Sequence, residues 1–178
     1  GFADTYSEIR GGQYLRDESF TGHGGSASAS LYHRFNPGAL IPLHAIVRGT
    51  FHRSFYLRDS KTSDSFVLPG DPYVYTTRAG LRWGGRAPEL SPAFAMELSA
   101  WYEHHHRFES GGYGFNHDRL MNANVHQFWS RALIAYTFTN WPQSIGLSIT
   151  AGTSMDADRF GCYRMGGVLP MASEFPLT

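Results

Sequence analysis

The stretch LIPLHAIVRGTFHRSFY, Leu40 to Tyr56, decides the reading of this chain. Its odd positions include Ile41, Leu43, Ala45, Val47, Phe51 and Phe55, with Gly49 and Arg53 as the non-apolar members. Its even positions include His44, Arg48, Thr50, His52 and Ser54. Side chains on a strand point alternately to opposite faces, so one face is greasy and the other polar or charged. The run is also long. An average globular strand has roughly 5–6 residues, whereas a tilted strand needs about 9–11 to cross hydrocarbon.

The same alternation recurs along the chain. In Tyr73 to Gly84, Tyr73, Tyr75, Ala79, Leu81 and Trp83 oppose Thr76, Arg78 and Arg82. In Pro92 to Phe108, Phe94, Met96, Leu98, Ala100 and Tyr102 oppose Glu97, Ser99, Glu103 and Arg107. In Asn124 to Thr139, Phe128, Ala132, Ile134, Tyr136 and Phe138 oppose Gln127, Arg131 and Thr137, with Trp129 and Leu133 diluting the polar side. Gln143 to Thr153 and, more weakly, Ser26 to Phe35 complete six strands. Phe2 to Arg10 and Cys162 to Pro170 are flanking candidates that bring the count to eight. No segment sustains apolar residues at i, i+3, i+4 and i+7, so regular helix is not expected.

The connections alternate in length. Asn36-Pro37-Gly38 and Asn140-Trp141-Pro142 are tight turns, and Arg86 to Ser91 is fairly short. Proline presets φ in such turns and glycine accepts a left-handed φ. Leu57 to Pro72, Glu109 to Asn122 and Ser154 to Gly161 are longer, and Gly11 to Gly24 is expected to be another long loop. A soluble lipocalin-type barrel, the runner-up fold, would alternate along its strands too. It has no reason to sort its loops by side, whereas an outer-membrane barrel does so.

Composition agrees. The 178 residues carry a formal net charge of zero, which removes the electrostatic case for nucleic-acid binding. No apolar run is long enough for a transmembrane helix. Aromatics make up 15% of the chain and gather near strand ends, where girdles at two membrane interfaces would place them. Cys162 is the single cysteine, so no intrachain disulfide is possible. The ending at Thr178, which is not an aromatic, makes a piece of a larger barrel the expectation.

The pattern resembles bacterial outer-membrane β-barrels across nearly the whole chain. More narrowly, Tyr163-Arg164-Met165-Gly166-Gly167 is similar to an aromatic-Arg-hydrophobic-Gly-Gly stretch in barrels of the bacterial surface antigen (Omp85-like) family. That resemblance, carried by Tyr163, Arg164, Gly166 and Gly167, implies a barrel that inserts or exports proteins.

Seven charged residues fall on the polar faces and would line a lumen: Arg48, Arg78, Arg82, Glu97, Glu103, Arg107 and Arg131. Buried charges must be paired or solvated. They can therefore form a space-filling ion-pair network or, in a wider barrel, a selective constriction. His104-His105-His106 invites a metal reading with His117 or Asp118 as third ligand, but nothing in the sequence fixes that ligand. A polar rim is the expected role. His126 and Ser130 share the outward face, yet four strand residues separate them by about 13 Å, too far for a nucleophile and its base. Met155-Asp156-Ala157-Asp158 lacks the ligand count of a calcium loop and is expected to be solvated.

These observations predict an all-β fold, an antiparallel transmembrane β-barrel, with residues 1–178 forming one segment of it. The expected function is a pore or a protein-translocation and assembly barrel in the bacterial outer membrane. A small structural or adhesive eight-stranded barrel and a membrane-embedded lipid hydrolase are the alternatives. The expected partners are outer-membrane lipid and a translocated protein or small solute. No catalytic residue, cofactor, metal or nucleic-acid partner is expected.

Overall fold

A computed structural model of the chain describes residues 2–39, 41–84, 94–138, 140 and 143–162. They form ten strands: β1 (Phe2–Arg10), β2 (Gln13–Arg34), β3 (Leu43–Arg58), β4 (Phe66–Val67), β5 (Tyr73–Gly84), β6 (Phe94–Arg107), β7 (Gly111–Phe115), β8 (Arg119–Met121), β9 (Asn124–Thr137) and β10 (Ser144–Met155). Seven of them make one antiparallel sheet in the order β1-β2-β3-β5-β6-β9-β10, an up-and-down meander with no crossover. The short strands β4, β7 and β8 associate separately, within the two long connections. The large sheet curls toward its polar face but stays open, for β1 and β10 do not pair with each other among the described residues.

The expected strands appear with ends displaced by a few residues, except at the start. Gly11 to Gly24 is not a loop. Gly11 and Gly12 both take positive φ, 58° and 79°, and close a tight hairpin between β1 and β2. Two consecutive left-handed residues match the twist of a two-residue β-turn, and glycine adopts them at little cost. Strand β2 then runs through Gly22, Gly24 and Gly25, whose lack of side chains had disguised it as a loop. A Cβ on Gly22 would collide with the rings of Tyr6 and Tyr56, so the glycine there admits two aromatic neighbours. The tight β1–β2 turn lies on the same side as the long connections, an exception to the sorting by length. On the other side, Asn36 braces the β2–β3 turn: its side chain accepts from Leu43 N at 2.6 Å and donates to Ile41 O at 3.1 Å. The candidate strand Cys162 to Pro170 lies outside the described residues apart from Cys162, which sits in a bend.

The two faces separate as alternation requires. Leu31, Val47, Leu81, Leu98, Ile134, Leu147 and Ile149 are each at least half exposed on one face. The other, inner face holds buried His44, Thr76, Arg82, Ser99, Glu103 and Arg107. Trp101 and Trp129 also turn inward rather than outward. Their rings stack at 6.0 Å with 7° between planes and pack with Ile46 as a small apolar core among the charges. Opposite Trp101 stands Gly80, where a Cβ would fall well inside van der Waals contact with the indole. Overpacking of this kind costs about 1–3 kcal/mol. Gly80→Ala should lower unfolding stability by that amount and shift the tryptophan fluorescence of the pair; an unchanged midpoint would show that the indole can move aside.

On the apolar face, aromatics mark both ends of three neighbouring strands. Tyr75 and Trp83 on β5, Phe94 and Tyr102 on β6, and Phe128 and Tyr136 on β9 are each eight positions apart. Between them lie Ala79, Leu81, Met96, Leu98, Ala100, Ala132 and Ile134, with Thr77 and Ser130 as the only polar interruptions.

Candidate functional site

The register places all seven predicted charged residues on the inner face. They do not form a single cluster. Arg78 lies directly across from Glu103 and donates to it through Nε. Glu103 is also 2.6 Å from His105 Nε2, and His105 Nδ1 is 3.2 Å from the hydroxyl of Thr76. The Arg78 guanidinium sits over the Trp129 ring at 5.4 Å. A carboxylate that is 5% exposed is thus held between a guanidinium and an imidazole, and the guanidinium in turn lies over an indole. Arg48 faces Arg78 across β3 and β5, and its Nε donates to Ser30 at 2.8 Å. Near the short turns, Arg82 and Arg131 flank Ser99 from either side, and Ser99 donates to Glu97 at 3.3 Å.

Arg107 pairs with a residue that the sequence reading assigned to solvent. Its side chain is 5% exposed, and Nη1 and Nη2 donate to Asp158 at 2.5 and 3.2 Å. Asp158 also accepts from the backbone N–H groups of Asn122, Phe160 and Gly161 at 2.8 to 2.9 Å. The expectation of a solvated acidic loop is corrected here: Asp158 is 3% exposed. Its oxygens are occupied by five donors, and only Asp156 of that pair stays exposed. The loop therefore folds over the end of the inner face as a strap. Gln127 fastens it a second time by donating to Gly161 O at 2.9 Å.

Around the strap the long-connection side builds a cap. Phe20, Tyr56, Phe66 and Tyr113 form a buried aromatic cluster, against which Tyr6, Phe115 and Phe160 pack. Its rim is ionic. Arg119 binds Glu18, which is 6% exposed, and Arg159 binds Glu8. Burial opposes the charge of Arg119, but the hydrogen bond and charge of Glu18, with Glu8 behind it, hold its pKa above the ordinary value. Burial pushes the Tyr113 hydroxyl up as well, which keeps it neutral. Arg159 links the far end of the sheet to its beginning, since it follows β10 and Glu8 belongs to β1.

The histidines divide as alternation predicts. His105 points inward, while His104 and His106 point outward. Both outward rings come within hydrogen-bond distance of Asn124 Oδ1, at 3.2 and 2.8 Å. His126 stacks on His104 with centroids 4.6 Å apart and meets the Tyr102 hydroxyl at 2.9 Å. The third metal ligands suggested by the sequence are engaged elsewhere, His117 with Gly112 O and Asp118 beside Arg119. Among the described residues no three His, Cys, Asp or Glu side chains are placed to hold a metal ion. Ser130 is paired with Ala100 and Ala151, so the register brings no histidine beside it.

His105 was legible in principle, because it shares the odd positions of Glu103 and Arg107. Asp158, Glu18 and Arg119 were not, since nothing local reports which loops meet. The motif residues Tyr163, Arg164, Gly166 and Gly167 lie outside the described residues. No family model, curated protein or solved structure matches the chain.

Proposed function

We propose that this chain forms part of the wall of an antiparallel β-barrel in a bacterial outer membrane, and that the barrel serves as a pore or a protein-translocating channel. The observation that carries the reading is the pair of aromatic bands on the apolar face. Eight residues at about 3.4 Å each span roughly 27 Å along a strand. Tilted by about 40°, that is on the order of 21 Å along the membrane normal, close to the apolar band of about 25 Å in such barrels. The same strands carry their charges on the opposite face, as a water-bearing interior requires.

The open edges support a wider barrel. An unpaired backbone edge in hydrocarbon leaves polar groups that each cost several kcal/mol. In the membrane the edges of β1 and β10 must therefore be paired, and closure through further strands would give a wider barrel with room for a lumen. The polar inner wall, with its Arg78–Glu103 pair, then faces the transported species. The likeness of Tyr163 to Gly167 to the surface antigen barrels favours a protein as cargo, whereas the charged wall alone suits a small polar solute.

Boiled and unboiled samples of detergent-folded protein on cold SDS gels test the barrel, and planar bilayers test the pore. A heat-dependent shift in migration together with stepwise conductance is expected. A shift without conductance would favour the structural or adhesive barrel. No shift, combined with solubility in plain buffer, would overturn the membrane reading.

A further inference from the structure

We infer that the long-connection end of the apolar face is a docking belt for phosphate-bearing lipid headgroups, with lipid A as the occupant. This inference rests on the outer-membrane reading above. The basis is an asymmetry of charge. Between Thr21 and Met155, the outward-facing positions of the sheet carry no carboxylate among the described residues, and Arg53 is their only permanent charge. Four outward histidines, His23, His104, His106 and His126, lie toward the same end, while His33 is the one basic residue toward the short turns.

Arg53 is held in position rather than loose. Its guanidinium carbon is 4.5 Å from the ring centroids of both Phe55 and Tyr73, and Nη1 donates to the Tyr73 hydroxyl at 2.8 Å. Its Nε is buried without a hydrogen-bond partner, so a ligand would meet the fork at its Nη end. Sandwiching between two rings fixes the plane of the fork, so little entropy is lost when a phosphate accepts from it. His23 stacks on Phe55 at 5.5 Å and extends the platform onto β2. In the other direction Phe51 stacks on Tyr73 and meets Phe108, and Phe108 meets His106. The belt therefore runs across β2, β3, β5, β6 and β9 without an acidic interruption.

An outward arginine is costly at the membrane midplane and well tolerated at an interface. Lipid phosphates lie at that level. In outer-membrane barrels the long loops face the exterior, which puts this belt against the leaflet containing lipid A. A belt with Arg53 as its fixed cation and no outward carboxylate between Thr21 and Met155 among the described residues complements a lipid phosphate.

The test uses the full chain in phosphatidylcholine vesicles that contain lipid A, dephosphorylated lipid A or phosphatidylglycerol, with lipid retained after extraction read by native mass spectrometry. Wild-type protein should retain lipid A over both alternatives. Arg53→Gln should weaken retention by about tenfold, the loss expected for one charge-assisted hydrogen bond, and Tyr73→Phe, which releases the guanidinium it holds, should weaken it in the same direction. Arg53→Lys should restore part of it. Equal retention with and without phosphates, or unchanged retention in both variants, would overturn the belt. Equal retention of phosphatidylglycerol, or displacement of lipid A by inorganic phosphate at matched concentration, would overturn lipid A as the occupant. Boiled and unboiled gels of the same samples separate the two claims: a heat-shifted protein without phosphate preference sinks only the belt. If Arg53→Gln fails to fold, Tyr73→Phe, which removes one hydroxyl from an exposed ring, decides the matter.

Discussion

Replacing Asp158 by alanine should destabilise the protein by about 3–5 kcal/mol, the cost of removing one partner from a buried ion pair. Arg107 would keep its bond to Asn122 O at 2.5 Å but would face a nearly closed site without its counter-charge. Three backbone N–H groups, of Asn122, Phe160 and Gly161, would lose their acceptor as well. The strap should loosen around Asn122 and Gly161, held then by Gln127, by the Asn122–Asp156 bond and by the Arg159–Glu8 pair. The temperature at which the folded band disappears on SDS gels should fall, and protease should cut between Asp156 and Cys162. The double variant Arg107→Ala with Asp158→Ala should lose less than the sum of the two single variants, since the partners are coupled. A loss below 1 kcal/mol for Asp158→Ala would show that the strap is fastened elsewhere.

The second large effect concerns the faces of β10. Ile149 pairs with Ala132, which lies opposite Leu98, midway between the aromatic bands of β6 and β9. It is exposed on the apolar face, and the adjacent Ser148 points the other way. In the proposed membrane setting Ile149→Arg should cost about 2–4 kcal/mol, the penalty for a cation near the bilayer midplane. Ser148→Arg should change stability by less than about 1 kcal/mol, because an interior that holds water solvates the new charge. Reversible urea unfolding in vesicles, followed by tryptophan fluorescence, reads both. Equal losses at these neighbours would sink the assignment of one face to lipid and the other to water.

The sequence by itself determined the strands and their two faces. Period-two alternation is local, so Leu40 to Tyr56, Tyr73 to Gly84 and Pro92 to Phe108 could be read without knowing what they pair with. The parity of each register follows from keeping the apolar positions on one side, since a slip of one residue inverts every side chain. That is why Arg48, Arg78, Arg82, Glu97, Glu103, Arg107 and Arg131 share a face in the structure, as alternation requires. Only the tertiary structure decided what closes on what. The Gly11-Gly12 hairpin depends on two positive φ angles and on aromatics that pack where Gly22 leaves space. The inward stacking of Trp101 and Trp129 depends on Gly80 opposite. The Asp158 strap and the Glu18–Arg119 and Glu8–Arg159 pairs join residues far apart in the chain, and no local pattern encodes which loop meets which. Alternation reports the direction of a side chain, whereas partners across loops are selected by burial, which arises only once the sheet has curled.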